Sequence, residues 1–219
     1  MDAPYIDIHT HRRTGEGIEL VSVSAGTTGA AGARPAPPFS IGVHPWQLAN
    51  SGWPTIEAAA LREVETAPAA AIGEIGLDFA QGTPDPEAQK ALFETQLKIA
   101  RERDLPVVLH CVRAFEPTME LLARHRIEKV IFHSFVGSPE QARQAVAKGY
   151  HISVGPRSLV SPKTVEALRV TPLERLFLET DDSDTSISEI YARVATLLGL
   201  PLPQLKKQLQ ENYQNIFKK

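Results

Sequence analysis

The chain has one cysteine, Cys111, in 219 residues. A single thiol excludes an internal disulfide and any cysteine-rich zinc module, and it fits a reducing compartment. No apolar run approaches the roughly 20 residues that a membrane-spanning helix needs. The start, Met1-Asp2-Ala3-Pro4-Tyr5, lacks the basic and apolar segments of a secretion signal, so a cytoplasmic location is expected. Excess positive charge is missing too: 23 Lys and Arg against 26 Asp and Glu give a net charge of −3. That argues against holding long duplexes by bulk electrostatics, but not against phosphate chemistry, because bound divalent ions make a site locally positive. No glycine-rich phosphate loop or dinucleotide fingerprint occurs, which speaks against kinase and dehydrogenase readings.

What is present is an alternation of short β-branched runs with longer helical patterns, the signature of a mainly parallel sheet. Eight strands are expected: Tyr5 to His11, Ile18 to Ser24, Phe39 to His44, Ala71 to Asp78, Pro106 to Cys111, Lys129 to Ser134, Tyr150 to Val154 and Leu176 to Thr180. Runs such as Val107-Val108-Leu109 are apolar throughout, as in strands covered on both faces. Helices are expected over Pro54 to Thr66 and Pro86 to Arg103, after Ser138-Pro139 and Ser161-Pro162, over Ile187 to Leu198 before Gly199, and from Pro203 onward with Leu205, Leu209 and Phe217 as core contacts. Eight such strands in one 219-residue domain suggest a TIM (β/α)8-type barrel. The first third departs from that plan. Arg12 to Gly17 is too short for a crossover helix, and Gly26 to Pro38 is rich in glycine and proline. The first helices are therefore expected to be shortened or missing, leaving a flank that is exposed or covered by a partner subunit, so an oligomer is possible there.

Polar residues sit where strands should end. His9 and His11 lie two apart in the first strand and can share a face; alone they are as compatible with satisfied core histidines as with metal ligands. Later strand ends add His44, Glu74, His110, His133 and Asp181. In a parallel barrel these ends open on one rim. Imidazoles and carboxylates together are the donor set for two divalent ions, which can activate a water and polarise a phosphoryl or carbonyl group. The expected chemistry is hydrolysis.

The set His9-Thr10-His11, Gly42-Val43-His44-Pro45, Gly73-Glu74-Ile75-Gly76-Leu77-Asp78, Leu109-His110, Phe132-His133-Ser134-Phe135 and Glu179-Thr180-Asp181, with the ending Glu211 to Phe217, resembles the TatD family of metal-dependent deoxyribonucleases within the amidohydrolase-like TIM barrels. The resemblance implies one ion on His9, His11 and Asp181, a second on His110 and His133, and Glu74 bridging them. It implies that His44 contacts substrate phosphate, and the place it gives Asp181 beside a metal allows that residue to take the proton of the attacking water. The ions implied are two divalent metals: zinc, manganese or magnesium. The implied substrate is DNA, attacked from the end of a single or frayed strand, or a small phosphodiester.

Departures from the family pattern fall near the expected phosphate contacts. The family's basic–acidic pair is replaced by Cys111-Val112-Arg113-Ala114, with Arg113 a phosphate contact or a surface ion pair. The acidic run Asp181-Asp182-Ser183-Asp184 lacks the usual proline. The run keeps an alternative open, hydrolysis of a C–N or ester bond in a small metabolite by an amidohydrolase-type enzyme. A catalytically silent barrel that serves as a binding partner is the reading from another class. Among neighbouring residues, Asp78 and Glu179 are expected to orient ligands, and Cys111 to be a small buried hydrophobe. His125 is expected to be solvated at a helix end and His151 structural, while Trp46 and Trp53 either stack on bases or pack beneath a loop.

Overall fold

The structure is a computed structural model that describes residues 3–27, 35–50, 52–80 and 82–217. In chain order the strands and helices are β1 (Tyr5–Thr10), β2 (Gly17–Ser24), β3 (Phe39–Gly42), α1 (Trp53–Thr66), β4 (Ala71–Asp78), α2 (Pro86–Glu102), β5 (Val107–Val112), α3 (Phe115–His125), β6 (Val130–Phe132), α4 (Pro139–Ala147), β7 (His151–Val154), α5 (Pro162–Val170), β8 (Leu176–Leu178), α6 (Ile187–Leu198) and α7 (Leu202–Phe217). The eight strands form one sheet in sequence order, a TIM (β/α)8-type barrel. Among the described residues no helix joins β1 to β2 or β2 to β3. Much of the glycine- and proline-rich stretch expected to be a loop, residues 28–34, lies outside the described residues. Helix α3, which ends at His125, has no capping side chain at its start, where Ala114 precedes it.

By contact density the chain divides into two compact units, residues 1–21 with 131–219, and residues 22–130. In the first unit β1 pairs with β2 and β7 pairs with β6 and β8, all in parallel, while a bridge between Thr10 and Asp181 sets the end of β8 beside β1. Side chains cap the helices here. Ser138 and Gln141 form a reciprocal capping box ahead of α4, as do Ser186 and Glu189 ahead of α6, and Gly199 ends α6 in the left-handed region at φ 64°. Helices α6 and α7 pack against β1. Tyr191 accepts from Ile6 N at 3.0 Å and donates to Ile6 O at 3.1 Å. Asn212, in the ending that resembles the family pattern, is buried and donates to Leu173 O and Leu176 O at 2.7 and 2.9 Å, which fixes α7 to the start of β8. Leu205 and Leu209 are core residues, whereas Phe217 is only half-buried against Tyr213. Its position in the last turn of α7 limits what can cover it.

In the second unit β3, β4 and β5 are parallel neighbours, with α1 and α2 packed on them. Two buried glutamines of α2, one heptad apart, grip strand ends by their backbones. Gln96 accepts from Val43 N at 2.7 Å and donates to Val43 O at 3.0 Å. Gln89 accepts from Asp78 N at 2.7 Å and donates to Asp78 O at 2.7 Å. A primary amide offers an acceptor and a donor to the N–H and C=O of one residue and so substitutes for a neighbouring strand.

Two strands carry one extra residue relative to their partners. In β1 the register slips between Asp7↔Glu19 and Thr10↔Val21, and in β4 between Ile72↔Val107 and Ile75↔Leu109. Such bulges re-aim side chains. The first interval contains His9 and the second contains Glu74. Gly76, at φ 141°, lets β4 approach β5 so closely that a Cβ would stand 2.0 Å from His110 O.

Candidate metal centre

Within the first unit, Asp181 gathers the histidines of β1. Its Oδ1 lies 3.6 Å from His9 Nε2 and 3.3 Å from His11 Nε2. Asp181 stands at φ 55°, a left-handed conformation that aspartate tolerates better than most residues. Backbone hydrogen bonds hold it there: Asp181 N donates to His9 O at 3.0 Å and His11 N to Asp181 O at 3.2 Å. Ligand atoms of His9, His133 and Asp181 all fall within 4.8 Å of one another, with the His9 and His133 rings 4.2 Å apart. His133 Nδ1 is 3.5 Å from Glu179 Oε1, and Ser153 Oγ donates to the other oxygen of that fully buried carboxylate. A carboxylate beside Nδ1 keeps the hydrogen on that nitrogen and leaves Nε2 as the ligand atom.

Beneath these ligands lies a second buried carboxylate. Asp7 accepts from Thr180 N at 3.0 Å and from Thr180 Oγ1 at 2.6 Å. Burial pushes its carboxyl up to about 7; the Thr180 hydrogen bonds oppose that shift, and Glu179 and Glu19 reinforce it.

Within the second unit, His44, Glu74 and His110 form a comparable group, again with ligand atoms within 4.8 Å. His110 is held at both nitrogens: Nε2 is 3.1 Å from Asp78 Oδ2 and Nδ1 is 2.9 Å from Glu74 Oε1. Asp78 also accepts from Trp46 Nε1 at 2.8 Å and from Ala80 N at 2.9 Å. Burial would raise the Asp78 carboxyl. The bonds from Ala80, His110 and Trp46 outweigh it and hold the group below the usual range, so Asp78 is an acceptor. His110 Nε2 must then donate. Its Nδ1 lone pair faces the Glu74 carboxylate, an arrangement that calls for a positive charge between them, either a proton on the ring or a cation taking both atoms as ligands.

His44 differs from its neighbours. Its Nδ1 accepts from Trp46 N at 3.2 Å and caps a short 3-10 turn, while Gln47 Oε1 accepts from His44 N at 2.9 Å. The neutral ring therefore carries its hydrogen on Nε2, which lies 3.3 Å from Glu74 Oε1. A nitrogen that bears hydrogen donates and does not ligate, which suits a contact to a phosphate oxygen.

Of the other residues singled out, Arg113 is exposed just beyond β5 at φ 53°. Trp46 is 56% exposed with its ring against His44 and His110, whereas Trp53 is buried. Cys111 has its thiol pushed up to about 11 by burial and lies 3.6 Å from Thr118 Oγ1, which rules it out as a ready nucleophile. His151 packs on Phe177. His125, expected to be solvated, is instead buried with Nε2 3.3 Å from Glu94 Oε2, because α3 packs on α2 at that point.

Two sets of partners are not legible along the chain. The acidic run after β8 is paired: Arg12 reaches Asp184 and Arg157 reaches Asp182. Glutamines Gln89 and Gln96 brace the backbone beside Asp78 and His44. Their only signal in the sequence is an amide on the apolar face of α2.

The donor set fits divalent cations: imidazoles and carboxylates converge, and carboxylates orient the outer nitrogens of His110 and His133. Among known proteins, a family described as TatD related DNase matches residues 31–218. An uncharacterized metal-dependent hydrolase, YjjV, of Escherichia coli (strain K12) is 32% identical over 199 residues, 81% of this chain and 75% of that protein. The 3'-5' ssDNA/RNA exonuclease TatD of Shigella flexneri serotype 5b (strain 8401) is 35% identical over 146 residues, 64% of this chain and 55% of that protein. The chain thus spans three quarters of the former and about half of the latter. The crystal structure of the E. coli K12 YjjV, a TatD homologue, superposes with a TM-score of 0.85 at 27% identity, covering 100% of both chains. No helix of the described residues is long and apolar enough to cross a membrane. With a family match over most of its length, ligand-type residues at its strand ends and a fold shared with a TatD homologue, the chain belongs to the TatD related DNase family.

Proposed function

We propose that the protein is a divalent-metal-dependent phosphodiesterase that hydrolyses single-stranded DNA or RNA from an end. The observation that carries this reading is the convergence of imidazoles on carboxylates, His9 and His133 on Asp181 in one unit and His110 on Glu74 in the other, with His44 beside Glu74 as a donor, in a chain of this family. The proposal keeps two divalent ions, zinc, manganese or magnesium; His9, His11, His133 and Asp181 would hold metal in the first unit, and Glu74 and His110 in the second. Divalent ions bound by such donors polarise a phosphoryl oxygen and make water a stronger acid.

The protein's own groups have distinct parts. His44 presents Nε2–H to a non-bridging phosphate oxygen, and its cap to Trp46 N fixes the tautomer that can do so. Asp181, held in place by its backbone bonds to β1, accepts the proton of the attacking water. Exposed Trp46 offers a face on which a base stacks, a contact that tolerates any sequence. Arg113 is assigned to phosphate. The acidic run that favoured a small-metabolite amidohydrolase has Asp182 and Asp184 paired with arginines, so it no longer supports that alternative. The substrate is nucleic acid on the strength of the relatives' activities and the exposed indole.

The test is hydrolysis of a labelled single-stranded oligonucleotide with added zinc, manganese or magnesium. Glu74→Gln and Asp181→Asn should each lower the rate by about a hundredfold or more. Native activity in both variants would overturn the proposal.

A further inference from the structure

Two arginines far apart in sequence end on one short loop. Arg12 Nη2 donates to Ser183 O at 2.8 Å and to Asp184 Oδ1 at 2.5 Å, and Arg157 Nη2 donates to Asp182 Oδ2 at 2.6 Å. That loop begins at Asp181. All four charged side chains face solvent: Arg12 is 53% exposed, Arg157 65%, Asp182 55% and Asp184 96%. Exposed pairs of this kind contribute little to stability, so exchanging the partner costs little. A phosphate accepts from a guanidinium through two parallel bonds and is the stronger partner.

We propose that Arg12 and Arg157 form a second anion site, which binds backbone phosphates of a single-stranded nucleic acid away from the scissile one, and that Asp184 and Asp182 are counter-ions displaced when the strand arrives. The proposal rests on the nuclease reading for the identity of the anion. It explains an acidic run beside a phosphate site: the carboxylates hold the guanidinium groups in place in the free enzyme and cancel their charge. Released Asp184 has a place to go, because it lies two residues before Ser186, the N-cap of α6, where the helix dipole favours negative charge. A substrate with one phosphate cannot displace both carboxylates, so the site favours longer strands.

The experiment is fluorescence anisotropy of a labelled ten-nucleotide single strand with phosphorothioate linkages that resist cleavage, on metal-loaded enzyme over a salt series. Arg12→Ala and Arg157→Ala should each weaken binding about tenfold and lower the slope of log affinity against log salt by about 0.7. Arg12→Lys should keep the slope and lose part of the affinity. Asp182→Asn and Asp184→Asn should tighten binding several-fold. A doubly substituted Arg12→Ala/Arg157→Ala protein that binds with native affinity and slope overturns the proposal, as does weaker binding in both Asp variants. If the arginines carry binding but no nucleic acid is hydrolysed, this site stands and the nuclease reading falls. Hydrolysis with unchanged binding in the double variant gives the reverse.

Discussion

Asp78 lies outside the proposed ligand set, yet removing its carboxylate should cripple the group of His44, Glu74 and His110. The carboxylate accepts from three donors, His110 Nε2 and Trp46 Nε1 on one oxygen and Ala80 N on the other. In Asp78→Ala all three lose their acceptor. His110 Nε2 then has no carboxylate to keep its hydrogen, and the ring is free to place that hydrogen on Nδ1, the atom that faces Glu74. Loss of a group that orients a metal-bound histidine typically costs 10- to 100-fold in affinity, about 1.4–2.7 kcal/mol. Asp78→Asn should be milder. Its single oxygen can face His110 and Trp46 while the new amide NH2 opposes Ala80 N–H, so the tautomer survives and the penalty moves to one backbone donor, about 1–3 kcal/mol of stability. Calorimetric titration of metal-free protein with zinc or manganese separates the two variants. Nitrogen chemical shifts of the His110 ring report the tautomer directly. Native metal affinity in Asp78→Ala, with the ring hydrogen still on Nε2, would refute the reasoning.

Two further outcomes follow from buried polar groups outside the proposed ligand set. Replacing Gln96 by Leu leaves Val43 N and O buried without their amide partner, which should cost about 2–3 kcal/mol and lower Tm by roughly 4–12 °C; an unchanged Tm in thermal denaturation would contradict this. Glu19 sets a pH dependence. Burial alone would raise its carboxyl, but bonds from Thr14 Oγ1, Thr14 N and Gly15 N, with Arg13, outweigh it and hold it below the usual value of 4.5. A depressed carboxyl stabilises the fold above its unfolded value and ceases to do so as pH falls through the folded one. Denaturant melts between pH 6 and 3 should therefore lose less stability in Glu19→Gln than in the native protein, and equal losses would remove Glu19 from the account.

The sequence revealed the elements whose cause is local. Periodicity marked the eight strands, and serine–proline pairs marked α4 and α5, because capping and amphipathicity act within a few residues. Ligand-type residues were visible because charge and imidazole at the ends of apolar strands stand out. Other features rest on contacts that no window of sequence contains. Arg12 meets Asp184 across 172 positions, so the acidic run looked uncompensated when read along the chain. Alternation along a strand assumes regular pairing, and the extra residues beside His9 and Glu74 appear only once a neighbouring strand supplies the register. His125 looked like a surface residue between two arginines until α2 covered it.

Helix α2 carries a consequence for anyone who would redesign this protein. Gln89 and Gln96 occupy positions where a pattern-based design would write leucine, and the resulting helix would still be amphipathic and still pack. It would nevertheless cut the polypeptide ends of β3 and β4 loose from a common ruler, since one rigid helix sets the spacing between Val43, which precedes His44, and Asp78, which holds His110. Grafting this group onto another barrel therefore means transplanting α2 together with β3 and β4, and with β5, which carries His110, as a single mechanical part.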